Sequence, residues 1–116
     1  MPLKVYCLDD EPALLEILVD MFASEEVQMM TFTDPRAAIE AIRLDPPDLL
    51  FVDYRLPNTT GLLVAKQLNA TFPIYLVTGE INMPHDPVFR GILHKPMKME
   101  AIEALIKSAQ QLKKAS

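Results

Sequence analysis

Residues 48–53 read DLLFVD, four apolar side chains in an unbroken row that stops at a carboxylate. A strand with one wet face alternates apolar and polar residues. An unbroken row instead fits a strand covered on both faces, at the centre of a parallel sheet. Parallel neighbours need crossover connections, usually helices. The chain supplies them. Residues 4–8 (KVYCL), 27–32 (VQMMTF), 73–77 (PIYLV) and 91–94 (GILH) read as the first, second, fourth and fifth strands.

The intervening stretches carry helical spacing. Leu14, Leu15, Leu18, Met21 and Phe22 predict a first helix running to about Ser24, with Asp10 as its N-cap and Pro12 near its first turn. Thr33 or Asp34 caps a second helix that begins at Pro35, buries Ala38, Ile39 and Ile42, and stops at Pro46-Pro47. A loop over 54–60 leads to a third helix with Leu63, Val64 and Leu68 inward. The last helix, about Met99 to Lys113, buries Ile102, Leu105, Ile106, Ala109 and Leu112, with Lys107, Lys113 and Lys114 toward its C-terminal end. Alternating strands and helices define an α/β fold, a doubly wound parallel sheet with helices on both faces. One stretch breaks the alternation. Residues 80–90 (EINMPHDPVFR) hold Pro84 and Pro87, and an interior proline costs a helix about 3 kcal/mol. No ordinary helix is expected there, at most a short turn before Pro84.

At 116 residues the chain is expected to form one domain, 1–116, without an output domain of its own. A net charge of −5 argues against direct nucleic-acid binding, which wants a basic face. No apolar run is long enough for membrane insertion, and the start lacks a signal-peptide pattern. Cys7 is single and lies inside the first strand, which fits an inert buried thiol and a cytoplasmic location. His85 and His94 have no further ligands at metal-binding spacing, and the seven methionines read as core filling.

Ligands of open parallel sheets bind outside the carboxyl ends of the strands. Here those ends carry Asp9-Asp10, Thr33-Asp34, Asp53, Thr78 and Lys95. Each taken alone is an ordinary cap or turn residue. Together, three carboxylates can hold Mg²⁺, and one of them can be a nucleophile toward phosphorus. Asp53, alone at the end of the central strand, suits the nucleophile. Lys95 offers a point charge, Thr78 a hydroxyl donor, and Gly79 leaves room beside them. Glu11 is expected in the first turn of the first helix, where negative charge is favoured.

The set resembles the receiver domain of two-component response regulators along the whole chain. Asp9-Asp10-Glu11-Pro12 is similar to that family's acidic pair. Residues 53–61, DYRLPNTTG, are similar to its phosphoacceptor loop, and Thr78-Gly79 and Lys95-Pro96 match its hydroxyl and lysine–proline steps. The resemblance implies a flavodoxin-like five-stranded sheet in the order 2-1-3-4-5. It implies phosphorylation of Asp53 by a sensor histidine kinase or phosphotransfer protein, followed by signalling to a downstream protein partner. It assigns Mg²⁺ to Asp10, Asp53 and the backbone carbonyl of Arg55, with Asp9 acting through water, and catalytic roles to Thr78 and Lys95. Such a domain is not an ordinary enzyme but catalyses its own phosphoryl transfer and slow hydrolysis. Arg55 and Glu80 fall at positions that tune dephosphorylation in that family.

Two features depart from the pattern. Ile92 stands at the position of an aromatic switch residue, and the proline-broken 80–90 stretch leaves the family's fourth helix shortened or missing. These leave open a pseudo-receiver that keeps the fold and binds proteins without switching. Arg55, where aspartyl phosphatases usually carry a second acid, disfavours a phosphatase. The acidic stretch after the first strand disfavours a flavin binder.

Overall fold

The computed structural model describes residues 1–83 and 85–115; Pro84, half of the proline pair that breaks the sequence pattern, lies outside them. The strands are β1 (Leu3–Leu8), β2 (Val27–Phe32), β3 (Leu49–Asp53), β4 (Arg55–Leu56), β5 (Thr59–Thr60), β6 (Ile74–Thr78) and β7 (Gly91–His94). The main sheet is all parallel, in the order β2-β1-β3-β6-β7. This is the expected 2-1-3-4-5 arrangement, with the apolar row of β3 at its centre and every β3 residue buried. The helices are α1 (Pro12–Phe22), α2 (Pro35–Leu44), α3 (Gly61–Leu68) and α4 (Met99–Ala115).

Side chains alternate across the pleat, so the sheet builds two cores. Leu3, Val5, Cys7, Leu49, Phe51 and Val77 pack with Leu15 and Leu18 of α1 and with Ile102 and Ile106 of α4. Tyr6, Leu8, Leu50, Val52, Ile74 and Leu76 pack with Ala38 and Ile42 of α2 and with Val64 and Ala65 of α3. Among the described residues no helix lies between β6 and β7. The irregular segment covers the second face itself, with Met83, Val88 and Phe89 packed against that core.

Local chemistry moves several boundaries. The N-cap of α1 is Glu11, not Asp10, and its side chain makes no capping bond; Glu11 therefore precedes the first turn. The helix ends at Phe22 because Ser24 serves the next turn, its Oγ accepting from the N–H groups of Glu26 and Val27. Asp34 is the cap of α2, accepting from Arg36 N at 3.2 Å. The stretch expected as a loop before α3 instead forms a two-stranded antiparallel ribbon of β4 and β5, turned through Asn58 at φ 62°. Leu63 and Leu112, expected inward, are exposed, as is Met21 of the first helix's apolar spacing. Their helices are narrower at the core than the spacing suggests, and the inward stripes close on Leu15, Leu18, Val64, Ile102 and Ile106 instead. The last helix runs to Ala115, and Lys113 Nζ bonds both Asp48 Oδ2 at 2.8 Å and the Pro2 carbonyl at 3.0 Å.

Candidate functional site

The carboxyl ends of β1, β3, β6 and β7 meet at one open cleft of about 680 Å³, lined by Asp10, Glu11, Asp53, Arg55, Thr78, residues 79–82 and Lys95. Sheet register brings them there: Leu8 pairs with Val52, Asp53 with Val77, and Thr78 with His94, one residue before Lys95. Asp9, Asp10 and Asp53 place carboxylate oxygens within 4.8 Å of one another. Asp9 and Asp53 are each 5% exposed and Thr78 is 1% exposed, whereas Asp10 faces solvent. Lys95 Nζ stands 3.3 Å from Asp53 Oδ2 and 3.7 Å from Asp9 Oδ2.

The charges do not balance within the site: three carboxylates face one ammonium. Burial pushes the Asp53 carboxyl above its ordinary range, against the opposing pull of Lys95. Burial raises Asp9 too, opposed by the Glu11 N–H that bonds Asp9 Oδ1 at 2.9 Å and reinforced by Asp53. Lys95 is held charged: burial disfavours the ammonium, but Asp9 and Asp53 outweigh it and raise its pKa. Two buried carboxylates with raised pKa values beside a third describe a site short of positive charge. Hard oxygen donors in that number suit Mg²⁺, so the residues fit the ion.

The remaining residues frame the cleft. Thr78 Oγ1 accepts from Glu80 N at 3.0 Å, which leaves its hydroxyl hydrogen available toward the cleft. Gly79 has open space where a side chain would begin. Arg55, on β4, forms an ion pair with Glu80 across the mouth. The Lys95-Pro96 peptide is cis. Ile92 does not line the cleft; it pairs with Leu76 and packs against the second core. Asp34 is the cap of α2 and is not among the residues lining the cleft. Gly61 closes the motif after Asp53 that the sequence resemblance rests on, and the structure shows why a glycine stands there. A Cβ there would lie 2.3 Å from the Asp53 carbonyl oxygen, and its N–H bonds Tyr54 O at 2.7 Å. The spacing of a glycine eight residues beyond Asp53 is the available signal. Ile81 and Asn82, also at the cleft, carry none.

A five-stranded parallel sheet in this order, with an acidic cleft at its carboxyl edge, is a flavodoxin-like architecture. The model of the response regulator receiver domain matches residues 5–107, and the chain belongs to that family. A response regulator receiver domain (CheY-like) from Methylobacillus flagellatus superposes with a TM-score of 0.83 at 23% identity, over 94% of this chain and 99% of that one. Among sequence relatives, the sensor protein TorS of Escherichia coli is 24% identical over 119 residues, 95% of this chain. The probable transcriptional regulatory protein TcrX of Mycobacterium tuberculosis is 34% identical over 82 residues, 68% of this chain. The chain spans 13% of the length of the former and 35% of the latter. No helix among the described residues is long and apolar enough to cross a membrane.

Proposed function

We propose that this receiver domain is a phosphoacceptor working in the cytoplasm, and that Asp53 takes a phosphoryl group from a phosphohistidine on a sensor histidine kinase or phosphotransfer protein. The observation that supports it best is the meeting of four strand ends at Asp53, with Lys95 Nζ 3.3 Å away. In the transfer, an Asp53 carboxylate oxygen forms a bond to phosphorus while the P–N bond of the donor breaks, and the departing imidazole nitrogen takes a proton. Lys95 holds the Asp53 carboxylate in place and offers its ammonium to a phosphoryl oxygen. Thr78 donates its hydroxyl hydrogen to another, its oxygen fixed by the Glu80 N–H. Asp10, Asp53 and the backbone carbonyl of Arg55 would hold Mg²⁺, with Asp9 acting through water, and the ion would supply positive charge for the phosphoryl oxygens. The phosphorylated domain then signals through a downstream protein partner.

A second reading, a pseudo-receiver that binds proteins without switching, draws support from Ile92 and from the connection between β6 and β7, which has no helix among its described residues. Acetyl phosphate with MgCl₂, and beryllofluoride with MgCl₂, separate the two. The phosphoacceptor reading expects a phosphoryl adduct in the wild type, none in Asp53→Asn, and a beryllofluoride complex. Absence of both adduct and complex supports the pseudo-receiver.

A further inference from the structure

The cleft is lined by four carboxylates, Asp10, Glu11, Asp53 and Glu80, and by two cations. Lys95 is committed to Asp53 and Asp9 beneath the opening. Arg55 is committed to Glu80 at the mouth. Both backbones of this outer pair are anchored to the site. Arg55 pairs with Thr60 in the ribbon, two residues after Asp53, and Glu80 N bonds the Thr78 hydroxyl. Beyond Glu80 the segment is loosely fastened until Met83 packs on the second core. Ile81 is 87% exposed, and among the described residues no hydrogen bond or ion pair holds 81–83. Fastening resumes at Asp86, whose side chain accepts from Val88 N at 2.9 Å and pairs with Lys66 of α3 at 3.2 Å. Arg90 N then bonds Ile74 O.

We infer that the Arg55–Glu80 ion pair is a latch that holds residues 80–82 across the mouth of the cleft, and that a dianionic group on Asp53 opens it by drawing Arg55 away from Glu80. The release clause rests on the phosphoacceptor reading; the latch itself does not. Among the described residues, Arg55 is the one cation of the cleft lining not paired with the buried carboxylates. A phosphoryl group brings negative charge into the same opening and competes with Glu80 for it. The Arg55 side chain is 79% exposed and that of Glu80 36%, so the pair is weak, as a latch that one ligand can open must be. With no helix among the described residues of the connection, release of Glu80 frees a segment ending in the exposed Ile81 and Asn82, beside the phosphorylated residue. Phosphorylation is thereby converted into a change of surface at 80–82 without an aromatic at position 92.

Amide hydrogen exchange of peptides covering 79–83 tests this on the full chain. The latch expects the Glu80 amide, whose N–H bonds Thr78 Oγ1, to exchange about 1.5- to 5-fold faster in Arg55→Gln and in Glu80→Gln, the range of an exposed ion pair, with no further gain in the double variant. Mg²⁺ with beryllofluoride should speed the wild type to the same level and leave Arg55→Gln nearly unchanged. Binding is read separately by ¹⁹F NMR. Unchanged exchange in both single variants overturns the latch. A beryllofluoride complex formed without faster exchange of the Glu80 amide overturns the release. Failure of beryllofluoride to bind overturns the phosphoacceptor reading and the release with it, while the variants without ligand still decide the latch.

Discussion

Asp53→Asn should make the metal-free protein more stable, although it deletes an ion pair. At an effective dielectric of about 20, the Lys95 contact at 3.3 Å contributes about 5 kcal/mol to an ionised Asp53. A carboxylate at 4.8 Å opposes it by about 3.5 kcal/mol, and Asp9 and Asp10 both lie within that reach. Asp10 is exposed, so its share is reduced by solvent, and the pair terms nearly cancel. Burial of the charge is then left uncompensated, consistent with a carboxyl pKa above the ordinary 3.8. The amide keeps shape and removes that cost, a gain of about 1–2 kcal/mol, or roughly 4–8 °C in Tm for a domain of this size. The sign with pH comes from the raised pKa. The cost exists while Asp53 is ionised in the folded state and disappears as pH falls through its folded pKa toward 3.8, so the advantage of the variant should shrink on acidification. MgCl₂ should reverse the order. At about a hundredfold over Kd the ion adds about 2.7 kcal/mol to the wild type, and much less to the variant. Thermal melts of both proteins, with and without MgCl₂, from pH 8 down toward 3.8 measure all of this. A metal-free variant less stable than the wild type at pH 7 would refute the electrostatic argument.

The same contacts set other outcomes. Lys95→Gln should lower metal-free stability by about 1–3 kcal/mol, because two buried carboxylates lose their cation, and should enlarge the Mg²⁺-induced rise in Tm; melts with and without MgCl₂ check both. Gly61→Ala drives a Cβ against the Asp53 carbonyl oxygen at 2.3 Å, where backbone must move, and should cost about 1–3 kcal/mol by denaturant titration. Burial alone would raise the Asp48 carboxyl, but bonds from Lys113 Nζ and Lys4 N outweigh it and hold its pKa below 3.8. Asp48→Asn should therefore cost about 1 kcal/mol at neutral pH, and in melts across acid pH the difference should fade below 3.8 through the folded pKa, the reverse of the Asp53 case.

The sheet was legible because its strands are short apolar runs bounded by turn residues, and an unbroken row at 49–52 can sit only where both faces are covered. The strand-end rule then named the residues that meet in the cleft before any distance was known. Helix faces were less legible. Met21, Leu63 and Leu112 have the right spacing but lie at the margins of their stripes, and apolar residues at a margin are as common outside as inside. Asp10 looked like a cap because it precedes a proline-led helix, but the Asp9 side chain takes the Glu11 N–H instead. The Arg55–Glu80 pair joins residues 25 apart through two irregular connections, and nothing periodic in the sequence brings them together.

Whether Asp53 carries the phosphoryl group can be read chemically. Incubation with acetyl phosphate and MgCl₂, reduction with borohydride and peptide mapping locate an acyl phosphate by converting the modified aspartate to homoserine. Homoserine is expected at position 53 and nowhere else, and its formation should be abolished when MgCl₂ is omitted. Homoserine at Asp9 or Asp10 with Asp53 untouched would contradict the assignment.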